Sequence, residues 1–204
     1  MPTRARIVAS AAKLFRRRGY AGTGLNDVIE QSAAPRGSLY HYFPAGKEEL
    51  ASEAVARGSA VVSHRIEQAL SGSDDLREVV NEFAVLLARN LERSGFRDGC
   101  PVGTVTLDAA SESQRIGAAC RAAFVGWRDT IAHGLAERGH GEDEALELAT
   151  LLLCAFEGAL MMARAVGEVG PLFVVADALN AHLEASVELT SGGTRRRRPS
   201  ARQR

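Results

Sequence analysis

Residues 23–47 read TGLNDVIEQSAAPRGSLYHYFPAGK, and this stretch decides the fold. Thr23 is a suitable helix N-cap, since its hydroxyl can accept an orphan backbone N–H at a helix start. Leu25, Val28 and Ile29 follow at helical spacing and form one apolar stripe. Ser32-Ala33-Ala34-Pro35 interrupts the run, because proline disfavours helical geometry in the residue before it. The same proline suits the first turn of a second helix. In that helix Leu39 and Phe43 face inward, while Arg36, Ser38 and His41 face outward. Two short helices joined by a tight turn, with small and basic residues opening the second, describe a helix-turn-helix DNA reader. The small residues matter because that end must approach base edges in the major groove closely.

Working outward, residues 3–18 form a first helix with Ile7, Val8, Ala11, Ala12, Leu14 and Phe15 on one face. Gly19 ends it. Its inner face is expected to pack on Val28, Ile29 and Leu39, giving a three-helix head too small to be very stable alone. Downstream, Pro44-Ala45-Gly46 breaks the chain and Lys47 opens a long helix to about residue 70. Further helices are expected over 76–93, 104–110, 113–138, 142–167 and 171–189. The expected fold class is therefore all-α: an N-terminal three-helix head plus a larger helical domain, about nine helices in all. The expected domains are 1–47, 48–190 and a disordered arginine-rich tail, 191–204.

The formal net charge of zero hides an asymmetry. Residues 1–47 carry eight basic and two acidic side chains, residues 48–193 eleven and twenty-three, and residues 194–204 six and none. A basic head on an acidic body fits a head that binds phosphate and a body that does not. Cys100, Cys120 and Cys154 are widely spaced, with no CxxC and no His/Cys ligand spacing. Neither metal, disulfide framework nor cofactor is expected. The start MPTRAR has no apolar signal core, and no apolar run reads as long enough for a membrane span. The expectation is a cytoplasmic protein that does not bind membranes.

The stretch APRGSLYHYFPAGKEEL resembles the TetR family of one-component bacterial transcriptional regulators. With the later GCPVGTVTLD it resembles the LmrA/YxaF-like branch in particular. Two positions depart from the family pattern: Ala33 stands where a glycine is usual, and Pro35 where serine or threonine is frequent. An alanine forced to positive φ there would cost on the order of 1 kcal/mol. The resemblance implies a dimer on palindromic operator DNA, and repression as the usual mode. It also implies a homodimer through the last two helices, where Ala149 to Val166 is apolar nearly all round.

Arg36 is the expected base reader, since arginine pairs bidentately with guanine. Ser38 and the backbone at Gly37 are expected against a base or phosphate. Tyr40, His41 and Lys47 are phosphate clamps by resemblance, and Thr23 is a cap first and a phosphate contact second. The resemblance also implies a small-molecule effector held among the middle helices. Its expected contacts are Phe83, Leu87, Asn90, Cys100, Pro101, Thr104, Phe124, Trp127, Arg128, Phe156 and Met161.

Two other functional classes stand beside this reading. Catalysis is disfavoured: the five histidines are scattered, and no GxSxG, P-loop, dinucleotide fingerprint or HExxH is present. A thiol-based redox sensor would use Cys100, expected to lie exposed in its GCP loop with Arg97 nearby.

Overall fold

The structure is a computed structural model that describes residues 1–192, and their side chains as far as residue 184. The expected arginine-rich tail lies outside the described residues, apart from its first two positions. Among the described residues there are nine α-helices and no strand: α1 (Thr3–Arg18), α2 (Leu25–Ser32), α3 (Arg36–Tyr42), α4 (Lys47–Gly72), α5 (Leu76–Ser94), α6 (Gly103–Ala109), α7 (Gln114–Glu137), α8 (Glu142–Val166) and α9 (Gly170–Gly192). The all-α fold is as expected, with helix ends within three residues of the expected ones.

Helix α1 buries Ile7, Val8, Ala11, Leu14 and Phe15, the stripe its spacing required. It packs on α2, α3, α4 and α6. The head core joins Ile7, Ala11 and Phe15 to Val28, Leu39 and Phe43, all essentially inaccessible. That core runs on without a break into the body through Leu50, Ala51, Ala54 and Val55 of α4. So the small head does not depend on its own apolar surface alone. Gly19 takes a left-handed φ of 74°, and a β-carbon there would stand 2.1 Å from Asp108 Oδ2. The α1 turn and α6 approach this closely only because the residue is glycine.

Ala33 has φ 50° and ψ 34°, the left-handed region that a turn glycine would fill without strain. The turn is braced by Arg6, whose Nη2 donates to the Ala33 carbonyl at 3.1 Å. Because Ala33 is exposed, its methyl gains little by packing. Ala33→Gly is therefore expected to stabilise the protein by about 0.5–1 kcal/mol, after the entropy that glycine adds to the unfolded chain. Thermal unfolding would show it as a rise of about 2 °C.

In the body, α4 is about 40 Å long and lies along α7, which in turn packs on α8. Helix α9 closes against α5 and α8. Asp75 caps α5 by accepting from Arg77 N at 2.9 Å. The loop between α5 and α6 meets Gly58 of α4, where a β-carbon would come within 2.7 Å of the Pro101 side chain.

Helix α8 corrects one expectation. By length and composition alone it is apolar enough to cross a membrane. It also buries one face only. Ala145, Leu148, Ala149, Leu152, Phe156, Ala159, Leu160 and Ala163 point into the core. Leu151, Cys154, Met161, Met162 and Val166 remain exposed.

Candidate DNA interface and effector cavity

Helix α3 divides its side chains cleanly. Leu39 is fully buried, as is Phe43 just beyond the helix end, and these two anchor it to the head core. Arg36, Gly37, Tyr40 and His41 are exposed, and Ser38 is partly so. These five expected residues therefore share one accessible element, with Arg36 at its N-terminal end, where such helices meet base edges. Tyr42 lies edge-on to His41, with ring centroids 5.1 Å apart.

Lys47 is partly buried, with its ammonium 4.2 Å above the Tyr20 ring. Burial holds its pKa below the usual value, opposed by the charge of Asp108. Glu48 and Glu49 point elsewhere: Glu48 accepts from Ser113 Oγ at 3.0 Å, and Glu49 accepts from Ala45 N at 2.9 Å.

Thr23 is a correction. Helix α2 starts at Leu25 with Gly24 as its N-cap, and Asp27 supplies the capping oxygen to Gly24 N at 2.9 Å. Thr23 is buried, and its hydroxyl donates to the Gly19 carbonyl at 2.8 Å. It ties the turn after α1 together, and its side chain is covered by protein.

The body holds a cavity of about 270 Å³ between α4, α5, α7 and α8, reaching α1. That is just below the usual range for small-molecule sites, roughly 300–1,000 Å³. Phe83, Leu87, Asn90, Cys100, Pro101, Trp127 and Phe156, expected from sequence, all line it. Phe83 and Phe156 pack edge to face at 5.2 Å. The Trp127 indole donates to the Ser59 carbonyl at 3.2 Å, which fixes its ring against the wall.

Four expected contacts lie off the lining. The Thr104 hydroxyl bonds back to the Cys100 carbonyl at 2.6 Å, as helical threonines do. Phe124 packs on Trp127 with centroids 5.3 Å apart but does not itself line the cavity. Arg128 pairs with Asp129 at 2.7 Å. Met161 is 64% exposed on the outer face of α8.

Sequence reasoning missed the polar part of the wall: Lys13 and Arg16 of α1, Arg57 and Arg65 of α4, Asp98, and Glu157 of α8. Glu157 had a signal, since it is the only charged residue between Glu147 and Arg164. Its carboxyl is raised above the ordinary 4.5 by burial, partly offset by a hydrogen bond from the Cys100 thiol. Cys100 is itself buried, and its thiol is held well above its usual range by burial and by the Glu157 charge. The expected exposure of Cys100 is thus corrected: the thiol is buried beside Glu157, an environment that disfavours the thiolate.

The Glu157 shift has a sign. Its folded pKa lies above the unfolded one, so the folded chain binds the proton more tightly. Stability is fully present below the unfolded value of about 4.5 and declines as pH rises through the folded value. Glu157→Gln is expected to melt higher than the parent at pH 8, with the difference closing below pH 4.5. Melting curves across pH check this directly.

A set of polar contacts joins the body to the head. The Arg16 guanidinium pairs with Asp98, and the Arg16 carbonyl accepts from Gly99 N at 3.1 Å. Arg164 Nη2 donates to the Arg17 carbonyl at 2.9 Å. Asp108 accepts from Ala21 N at 3.2 Å. Asp98 and Gly99 line the cavity and also hold the end of α1.

Two family descriptions match the chain. Residues 7–54 match bacterial regulatory proteins of the tetR family, and residues 77–178 match the C-terminal domain of LmrA/YxaF-like transcriptional regulators. The chain belongs to the TetR family. Among TetR relatives, the HTH-type transcriptional regulator YxaF of Bacillus subtilis is 37% identical over 175 residues, covering 86% of this chain and 92% of YxaF. The HTH-type transcriptional regulator LmrA of the same organism is 30% identical, covering 87% of this chain and 94% of LmrA. The crystal structure of a TetR transcriptional regulator from Chloroflexus aurantiacus superposes with a TM-score of 0.75 at 29% identity, covering 89% of this chain and 94% of that one. The protein is thus a DNA-binding transcriptional regulator of the LmrA/YxaF-like branch of TetR proteins, and not an enzyme.

Proposed function

We propose that this regulator is a cytoplasmic repressor. It binds a palindromic operator as a homodimer and lets go when a small, largely apolar molecule fills the cavity. The observation that carries the reading is the cavity's position. Its wall includes α1 of the head, and Asp98 and Gly99 both line it and hold the α1 C-terminus. A ligand there acts on the element that positions the DNA reader. It need only favour a state whose two recognition helices no longer match the operator spacing. By linkage, operator DNA must weaken ligand affinity by the same factor.

The dimer reading rests on the apolar outer face of α8 and α9. Leu151, Met161, Met162, Val166, Phe173 and Val174 are 39–69% exposed. A face of this kind marks a protein partner. A second copy is the occupant that the matching relatives' family favours, and its two-fold axis pairs with a palindromic site. Residues 1–47 would be the DNA-binding domain and 48–190 the effector and dimer domain.

Selection of bound sequences from a random DNA pool tests the proposal. Two inverted half-sites about one helical turn apart, roughly 34–36 Å, are expected. Single, unpaired sites would overturn the dimeric reading. Within the head, Arg36→Ala is expected to cost about 1–3 kcal/mol and to relax choice at one base pair, whereas Lys47→Ala weakens all sequences alike. Competition between operator variants reads both. Equal losses on cognate and random DNA for Arg36→Ala would remove its base-reading role.

A further inference from the structure

We infer that the effector is an amphipathic anion whose apolar body fills the cavity and whose acidic head meets Lys13, Arg57 and Arg65 where the cavity opens to solvent. This rests on reading the cavity as the effector site.

All three cations line the cavity and all three are exposed, so they stand where its wall meets water. Arg57, Val61 and Arg65 are spaced four residues apart on α4 and so share one helix face. Lys13 comes from α1. Among the described residues none of these cations has a carboxylate within ion-pair distance. The fourth basic group on the wall, Arg16, is already held by Asp98.

The acidic groups on the lining are accounted for. Asp98 faces Arg16 and Arg17. Glu157 takes the Cys100 thiol, and a β-carbon at Gly103 would stand only 2.8 Å from its Oε2. The deep wall therefore offers little to a cationic head, and the rim repels one. A negative head at the rim finds cationic donors instead, none of them ion-paired among the described residues, while the phenyl, indole and aliphatic groups inside take the chain. The arrangement also has a regulatory consequence. Lys13 belongs to the head and Arg57 and Arg65 to α4, so the anion touches the DNA-reading unit through Lys13.

The test compares decanoate, decanol and decylamine, each below its micelle concentration, on the full chain. Trp127 is the only tryptophan and lines the cavity, so its fluorescence reports occupancy. Decanoate is expected to bind about 10-fold or more tightly than decanol, as charge-assisted hydrogen bonds allow, and to weaken as salt rises. In a variant carrying Lys13→Gln, Arg57→Gln and Arg65→Gln that preference should disappear, with decanol affinity moving less than about 3-fold. Single substitutions of each cation, with smaller losses for decanoate only, keep the test open should the triple variant fold poorly. Decanol or decylamine binding as tightly as decanoate would overturn the anion and leave the cavity as the effector site. Silence of the indole towards all three, with none displacing the protein from DNA, would overturn both.

Discussion

Carboxylates placed together at Met162 and Val174 should turn the proposed dimer into monomers and weaken operator binding at least about 100-fold. Met162 is 59% exposed and Val174 69% exposed in the isolated chain, so neither substitution disturbs its core. In a two-fold interface each change occurs twice, on the same patch of both subunits. An unpaired carboxylate forced into such a contact costs several kcal/mol. The summed penalty exceeds about 4 kcal/mol, or about 1,000-fold in dissociation constant. A monomer then holds one half-site and loses the effective concentration that joins the two heads. Light scattering reads the mass, circular dichroism confirms intact helices, and operator titration reads the loss. A variant that stays dimeric would place the interface elsewhere on the molecule.

Trp127→Ala should be the most damaging single change to stability. The side chain is 1% exposed, the largest of the fully buried set, and it anchors α7 to α4 through Ser59. Removing an indole of this kind costs about 3–5 kcal/mol, because the wall cannot collapse onto the space. Part of that cost is the lost hydrogen bond, which leaves the Ser59 carbonyl without its indole partner. For a chain of this size the melting temperature should fall by about 10 °C. Trp127→Phe keeps most of the apolar volume and should lose less than half as much. A fall of only one or two degrees for Trp127→Ala would mean that α4 and α7 are held together by other contacts.

The helix-turn-helix was legible because its signals are local. Pro35 stops one helix and starts the next, and Leu39 and Phe43 must share the buried side. The strain at Ala33 was signalled by the resemblance, in which a glycine is usual at that position, and the structure gives the alanine a φ of 50°. Thr23 misled because the best capping residue by type stood one position before the real cap. Asp27, three residues after Gly24, was the better signal.

The cavity was only half legible. Apolar lining residues such as Phe83, Leu87 and Phe156 sit at helical spacing in apolar runs, so they could be named. Whether a residue faces the cavity or the outside of its helix depends on how α7 and α8 rotate against their neighbours. That rotation is set by tertiary packing, which put Met161 and Arg128 outward. Cys100 looked exposed because Gly and Pro flank it, but the loop turns inward onto Gly58 and Glu157. The cations at the rim escaped notice because a lone lysine or arginine on a helix normally reads as solvated surface.

The most direct test of the central claim is binding to the DNA immediately upstream of the protein's own gene, against random DNA of equal length, across a salt series. A regulator built as described prefers one palindromic segment strongly, saturates at one dimer or a multiple of it per site, and keeps that preference as salt weakens both complexes. Equal affinity for the two DNAs, falling in parallel with salt, would leave phosphate attraction alone and contradict sequence-specific reading of that DNA by α3.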